Sequence, residues 1–112
     1  MKPTARGLAK AAAVFAALGD PTRLAVVARL ASEGPQPIVR LTERAEVSRQ
    51  AVTKHLDVLE AAGLVRSRRD GRERVWEVQP ARLGEVQRLL ADISAQWDDA
   101  IARLRAAVED DA

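Results

Sequence analysis

Apolar residues recur at steps of three and four along most of the chain, and this spacing predicts a mainly helical protein. The first two helices should cover about 8–18 and 21–32. Asp20 and Pro21 mark the start of the second helix, because aspartate caps a helix N-terminus and proline fits its first position. The apolar faces of the two helices carry Leu8, Ala11, Phe15 and Leu18, and then Leu24, Val27, Ala28 and Ala31.

Two short helices joined by a tight turn are predicted over about 40–62. The segment 34–37 (GPQP) ends the preceding helix, and Ile38 adds one short strand residue before a helix over about 40–45. After a turn at 46–47, Ser48 can cap a helix over about 49–62, and Gly63 sits where a left-handed residue ends one. The outward face of that helix carries Gln50, Thr53, Lys54 and Asp57. We expect the core of the domain to rest on Phe15, Leu24, Val52, Leu56 and Leu59.

Residues 64–78 predict a β-hairpin, with strands over 64–69 and 72–78 and a two-residue turn at Asp70 and Gly71. Val75 and Trp76 are adjacent and should therefore face opposite sides of the hairpin. We expect Trp76 in the core rather than as a platform on which bases stack. The hairpin is rich in arginine, with Arg66, Arg68, Arg69, Arg72 and Arg74.

Pro80 opens a last helix that should run to about residue 108. Its apolar residues form a stripe that continues over some 25 residues, which is typical of a helix-to-helix seam. A helix of about 40 Å, at 1.5 Å per residue, is too long for the core of one small domain to cover. We therefore expect a homodimer, with Trp97 anchoring the seam rather than lining a ligand site; the alternative is a helix that folds back over its own core. The expected interface comprises Leu8, Phe15, Leu90, Ile93, Trp97, Ile101 and Leu104.

Length and composition indicate one domain of 112 residues with an aliphatic core and no cysteine, which excludes disulfides and thiolate metal ligands. No apolar run reaches the ~20 residues of a membrane span, so we expect a cytoplasmic protein.

The net charge is only +2, but segment 49–74 is basic and segment 80–112 is acidic. The basic segment is either an electrostatic footprint for phosphates or a solvated hairpin whose charged edges prevent aggregation. Its position directly after the capped helix favours DNA.

An enzymatic function finds little support. The chain has no cysteine and no tyrosine, a single histidine, and no glycine-rich phosphate loop. Asp98 and Asp99 are adjacent on the last helix and point about 100° apart, so they do not form a pair of catalytic carboxylates.

Two blocks of sequence resemble one family. Residues 17–24 (ALGDPTRL) are similar to the "ALADPTRL" opening of the ArsR/SmtB family of bacterial repressors. Residues 48–56 (SRQAVTKHL), with Leu59 and 62–65 (AGLV), are similar to that family's "SQPTVSHHLKVLREAGLV", and 69–72 (RDGR) resembles its wing. The likeness covers about residues 10–80. It implies a winged helix–turn–helix with a helix–turn–helix over about 40–62, a wing over 64–78 and a dimer helix over about 80–108. It also implies a symmetric dimer, held by the first and last helices, on a palindromic operator.

The chain departs from the resembled family where many relatives bind metal. Pro37 and Val39 stand where those relatives carry cysteines, and the last helix offers Asp92, Asp98 and Asp99 but no histidine. Zinc, arsenite and copper sites need thiolate or imidazole ligands, so we expect no metal and no cofactor. Glu46 stands where relatives often have glycine in the turn.

The resemblance and the residue chemistry together indicate the residues that contact DNA. Gln50 suits adenine, and Thr53 can use its hydroxyl or contact a thymine methyl group. The backbone N–H of the cap residue could hold a phosphate. His55 either donates to a phosphate or packs under the hairpin. Arg66, Arg68 and Arg74 either contact DNA or pair with Glu73, Glu77 or acidic residues elsewhere. The expected DNA-binding residues are Ser48, Arg49, Gln50, Thr53, Lys54, His55, Arg66, Arg68, Arg69, Arg72 and Arg74.

The sequence therefore predicts a DNA-binding transcriptional regulator, a dimeric repressor that binds a promoter palindrome without metal. The alternative is a winged-helix module for protein–protein interaction, or a DNA-binding protein controlled by a partner protein. Salt-dependent binding to duplex DNA would distinguish a DNA-binding regulator from a protein–protein interaction module, because an interaction module would not show such binding.

Overall fold

Five helices and three strands follow one another along residues 3–110, the part of the chain that the computed structural model describes. In chain order they are α1 (Ala5–Leu18), α2 (Pro21–Glu33), β1 (Gln36–Pro37), α3 (Ile38–Glu43), α4 (Arg49–Ala61), β2 (Val65–Asp70), β3 (Glu73–Val78) and α5 (Pro80–Asp110). The strands form one antiparallel sheet in the order β1-β3-β2. The predicted mainly α fold with a small hairpin and a long last helix is confirmed.

The two predicted helix caps are present. The Asp20 carboxylate accepts a hydrogen bond from the Arg23 backbone N–H at 3.0 Å, and Pro21 occupies the first turn of α2. The Ser48 hydroxyl oxygen accepts one from the Ala51 N–H at 3.2 Å. Each cap satisfies an N–H group that a helix start leaves without a partner, which is why both helices begin where the sequence indicated.

The core lies where α1, α2 and α4 meet the sheet, and it corrects part of the predicted core. Three side chains of α4 that were expected there, Val52, Leu56 and Leu59, are fully buried. By contrast, Phe15 is 45% exposed and Leu24 is 51% exposed, and neither belongs to the core of the isolated chain. The buried residues of α1 and α2 are instead Ala11, Val14 and Ala17, and Val26, Val27 and Leu30.

The same correction applies to the inward face of α2, because Ala28 and Ala31 are also exposed. Two overlapping apolar stripes run along this alanine- and valine-rich helix, and both have helical spacing. Only packing against the neighbouring elements selects the one that faces inward. Val26 and Leu30 lie only in the selected stripe, Leu24 lies only in the predicted one, and Val27 belongs to both.

The segment before the helix–turn–helix also differs from the prediction. The short strand consists of Gln36 and Pro37, opposite Trp76 and Val75 of β3, and α3 starts at once with Ile38. A proline is tolerated there because β1 is an edge strand, where no partner needs its missing N–H. Positive φ angles among residues 3–110 occur only at glycines 34, 63 and 71, so the turn between α3 and α4 forms without glycine at position 46.

Helix α5 extends far beyond the rest of the fold. Its first turns pack on α1 through Leu83, Val86 and Leu89, whereas the side chains after Leu89 are almost all exposed. Its 31 residues span about 46 Å. The radius of gyration is 19.0 Å, whereas a compact domain of this length has about 13 Å. The helix therefore does not fold back over its own core.

Within residues 3–110, no single helix is both long enough and apolar enough to cross a bilayer. Helices α1 and α2 together reach the required length and apolar content, but they are bent by 98° relative to each other.

Candidate nucleic-acid interface

The N-terminal half of α4 presents three polar side chains to solvent. Arg49, Gln50 and Lys54 are exposed, and none of them has a side-chain hydrogen bond or ion pair with the described residues. Ser48 uses its hydroxyl oxygen for the cap, so its own backbone N–H remains available at the positive end of the helix dipole. This end of α4 therefore offers two cations, one amide and a backbone donor to an anionic ligand.

Thr53 lies one turn after Arg49 on α4 and is half-buried. Its hydroxyl donates to the backbone oxygen of Arg49 at 2.9 Å. With the proton committed to the helix backbone, the side chain keeps its methyl group and its oxygen lone pairs for a partner. The Thr53 side chain is therefore better suited to contact a thymine methyl group, or to accept a hydrogen bond from an adenine amino group, than to donate a hydrogen bond to a base.

His55 lies beside the corner between α1 and α2, where its side chain contacts Arg23. Its Nδ1 is 3.4 Å from Nη1 of Arg23. The same guanidinium donates from Nε to the Ala17 carbonyl at 2.6 Å and from Nη2 to the Ala16 carbonyl at 3.4 Å. Arg23 thus satisfies two carbonyl groups at the C-terminal end of α1 and also contacts α4 through His55. Phosphate contact by the other nitrogen of His55 stays a prediction.

Arg23 was not among the expected site residues, although its position in the ALGDPTRL block was visible. Next to it, the pKa of Asp20 lies below its ordinary value, chiefly because the Arg23 backbone N–H donates to the carboxylate. The positive charge of Arg23 acts in the same direction. This polar corner links the junction of α1 and α2 to α4.

The C-terminal end of α4 turns sharply into the wing. Gly63 has φ +80°, the Leu64 N–H donates to the Leu59 carbonyl at 3.0 Å, and the Gly63 N–H donates to the Glu60 carbonyl at 2.9 Å. This pair of bonds is the Schellman arrangement that a left-handed glycine permits. The guanidinium of Arg82 lies over Gly63, 3.0 Å from where a Cβ would stand. The sequence therefore places β2 immediately beyond α4, which is called the reading helix below.

The turn of the wing lies one residue later than predicted. Asp70 pairs with Glu73, which leaves Gly71 and Arg72 as the two-residue loop. Gly71 has φ +66°, and no described residue other than glycine has a positive φ. Glycine with positive φ at the first loop position is what a type II′ hairpin turn requires. Arg72 therefore projects from the tip itself instead of flanking it.

Two of the five wing arginines are ion-paired. Nε of Arg66 is 2.7 Å, and Nε of Arg68 is 3.4 Å, from the carboxylate oxygens of Glu77. These contacts lower the pKa of Glu77, with the hydrogen bond from Arg66 as the largest cause and that from Arg68 acting in the same direction. A DNA phosphate would have to compete with Glu77 for both guanidinium groups.

The remaining three arginines concentrate positive charge near the tip. Arg69 and Arg74 lie directly opposite each other across the hairpin, and Arg72 occupies the turn between their strands. Nη1 of Arg74 donates to the Ser67 hydroxyl at 2.9 Å, but none of the three has an ion pair with the described residues. Like charges directly opposite each other destabilise a strand pair. An anion bound between them would relieve that repulsion.

The described residues contain no cluster of three or more His, Cys, Asp and Glu side chains able to hold a metal ion. Trp76 is 4% exposed and belongs to the core, as predicted, so it does not stack on bases. The expected dimer-interface residues of α1 and α5 are all exposed in the isolated chain.

Comparison with known proteins connects this geometry with a family. A family model described as a helix-turn-helix domain matches residues 18–68. An HTH-type transcriptional regulator of Mycobacterium tuberculosis is 40% identical over 85 residues, which cover 76% of this chain and 76% of that protein.

Solved structures show the same architecture. An ArsR-like transcriptional regulator from Rhodococcus sp. RHA1 is 41% identical with a TM-score of 0.79, covering 88% of this chain and 92% of that one. A homodimeric winged helix-turn-helix DNA-binding domain from Mycobacterium bovis has a TM-score of 0.61 over 84% of this chain and 83% of that one. At 24% identity, it supports the fold alone. From the sequence identities, the shared fold and the wing beside a capped reading helix, the chain belongs to the ArsR/SmtB family of DNA-binding, winged helix–turn–helix transcriptional regulators.

Proposed function

We propose that this protein is a homodimeric repressor that binds a palindromic operator in the cytoplasm and requires no metal to do so. The proposal rests on the capped start of α4. There the side chains of Arg49, Gln50 and Lys54 are exposed and form no ion pair within residues 3–110. A helix presented in this way suits the major groove, where residues near its N-terminus contact base edges. The arginines at the wing tip would then hold the flanking backbone.

The dimer is supported by the amount of apolar surface that the isolated chain leaves uncovered. At roughly 200 Å² for each fully exposed large apolar side chain, the exposed fractions add to about 800 Å². A stable interface of standard size buries about 800 Å² on each partner. The side chains counted are Leu8, Phe15, Leu90, Ile93, Trp97, Ile101, Leu104 and Val108. The relative from Mycobacterium bovis, whose fold is similar, is a homodimer.

A palindromic operator follows from the symmetry of such a dimer. Two identical reading helices related by a two-fold axis contact two identical half-sites that are inverted relative to each other. Occupancy of a promoter by the dimer would exclude RNA polymerase, and this is the basis for proposing repression.

Metal independence rests on the donor set of the chain. Cysteine is absent, and the one imidazole, His55, lies on the reading helix beside Arg23. Aspartates of α5 from two subunits could meet in a dimer, but carboxylates alone do not provide the soft or imidazole ligands that zinc and copper prefer.

Three measurements on the purified protein test the proposal. Fluorescence anisotropy with random duplex DNA should show affinity that falls steeply with salt, because bound lysine and arginine release counterions from DNA. Binding-site selection should enrich an inverted repeat, and sedimentation should give a dimer. Affinity that does not depend on salt would favour the alternative, a winged-helix module for protein–protein interaction.

A further inference from the structure

The single histidine of the chain uses one ring nitrogen inside the protein and turns the other to solvent. Nδ1 of His55 is 3.4 Å from Nη1 of Arg23, whereas Nε2 has no hydrogen bond with residues 3–110. No buried side-chain nitrogen in that range lacks a partner, so Nε2 reaches the surface. We propose that Arg23 is a positioning residue, which holds His55 in the tautomer with the proton on Nε2 so that this N–H donates to a DNA phosphate. This inference rests on the proposed DNA binding and defines the part of His55 in it.

The partner of Nδ1 decides which ring nitrogen carries the proton. A guanidinium stays protonated and can only donate hydrogen bonds, so Nδ1 of His55 must accept from Arg23 and carries no hydrogen. The proton of the neutral imidazole is then on Nε2. An imidazolium could not keep this contact, because both of its nitrogens are donors. The ring that is bound to Arg23 is therefore neutral, and it offers one N–H group to a ligand.

Arg23 can hold the ring because local hydrogen bonds fix its own position. Its Nε donates to the Ala17 carbonyl at 2.6 Å, and its Nη2 donates to the Ala16 carbonyl at 3.4 Å. Its backbone N–H donates to the Asp20 carboxylate in the cap of α2 at 3.0 Å. Since the guanidinium is planar and rigid, these bonds also set the direction of the N–H group that points at His55.

His55 lies at the border of the exposed face of α4. It follows Lys54 by about 100° around the helix, between the exposed side chain of Lys54 and the buried side chain of Leu56. When a helix lies in the major groove, its central face meets the bases and its flanks meet the phosphates of the groove walls. A phosphate oxygen only accepts hydrogen bonds, so the N–H on Nε2 suits it. The other tautomer would present a lone pair to the phosphate instead.

Nitrogen NMR of the single histidine tests the tautomer without DNA. At about pH 8.5, above the ordinary imidazole pKa of about 6.5, the ¹⁵N shifts of the ring report which nitrogen carries the proton. We expect the proton on Nε2 alone in the unmodified protein. In Arg23→Met, which keeps an unbranched side chain but has no donor, we expect shifts averaged between the two tautomers. A proton on Nδ1, or a spectrum that Arg23→Met does not change, would overturn the proposal.

Two substitutions of His55 separate the roles of its nitrogens. The amide of glutamine ends near the position of Nε2 and that of asparagine near Nδ1, and either amide can donate. On random duplex DNA, His55→Gln should keep most of the affinity, whereas His55→Asn should lose about tenfold, as expected for one hydrogen bond to a charged group. The reverse order would show that the contact with Arg23 is structural only.

The salt dependence of the same titrations reports the charge of the ring. A neutral imidazole releases no counterion from DNA, so the slope of log affinity against log salt should be the same in His55→Asn as in the unmodified protein. A slope that is smaller by about 0.9 for each lost contact would mean that His55 binds as an imidazolium, released from Arg23, and would refute the proposal.

A double-mutant cycle separates positioning from general damage, because Arg23 also supports the end of α1. If Arg23 acts through His55, Arg23→Met should weaken binding severalfold, and adding it to His55→Asn should cause no further loss. Losses that multiply would overturn the positioning role. Should circular dichroism show that Arg23→Met is unfolded, the tautomer of the unmodified protein and the two His55 variants decide the question. If the unmodified protein shows no salt-dependent binding to duplex DNA, the proposed function and the phosphate contact are both refuted, whereas a wrong tautomer refutes only the positioning.

Discussion

Glu77 forms ion pairs with two arginines of the wing, and its replacement by glutamine should strengthen DNA binding. The Glu77→Gln change retains a side chain of the same shape but removes the negative charge that holds Arg66 at 2.7 Å and Arg68 at 3.4 Å. Both guanidinium groups would then be free to contact phosphates. We expect higher affinity for all duplex sequences, because phosphate contacts do not depend on base sequence.

The size of the effect follows from counterion release. Each added phosphate contact steepens the dependence of log affinity on log salt by about 0.9. Between 50 and 200 mM salt, the affinity advantage of the variant should therefore shrink about 3.5-fold if one arginine is released and about 12-fold if both are. Anisotropy titrations on random duplex DNA at four salt concentrations measure this ratio without any knowledge of the operator.

Glu73→Gln is the matched control, because it makes the same change of charge on the same strand at a residue with no ion pair among the described residues. A general gain in positive charge would affect both variants equally. An affinity ratio for Glu77→Gln that stays constant with salt, or equals that of Glu73→Gln, would show that Glu77 does not restrain the wing. Circular dichroism should confirm that the variant remains folded.

Four further predictions follow from the same geometry. Gln50→Ala should cost about 1–3 kcal/mol on the selected operator and little on random DNA, and equal losses on both would contradict base reading. Arg69→Ala removes one of two like charges that face each other, so the melting temperature should hold or rise while the salt slope decreases by about one; an unchanged slope would mean that the wing tip does not touch the backbone. Trp97→Asp should give a monomer that stays folded, because this side chain lies outside the core, and should abolish tight operator binding; a dimer with full affinity would place the seam elsewhere. The depressed pKa of Glu77 means that its pair stabilises the fold above the ordinary value of 4.5 and loses that effect as pH falls through the folded pKa, so the Glu77→Gln protein should lose less unfolding free energy between pH 7 and pH 4 than the unmodified protein.

Local interactions determined which elements form, and the sequence alone therefore predicted them. The caps at Asp20 and Ser48, the left-handed glycine at 63 and the proline at 80 act within a few residues of their own positions. The helices and strands consequently start and end within about three residues of the predicted bounds, and the identity of the winged helix–turn–helix could be inferred from two blocks of sequence.

The tertiary structure decided which face of each helix is buried, which arginines carry unpaired charge and where the single histidine points. Leu24 and Val26 both lie at helical spacing from other apolar residues of α2, and only the neighbouring elements determine that Val26 faces inward while Leu24 stays exposed. Pairing of Arg66 with Glu77 depends on strand register, and the shift of the turn to Gly71 and Arg72 sets that register. These outcomes arise between residues that are distant along the chain, where spacing alone does not specify a partner.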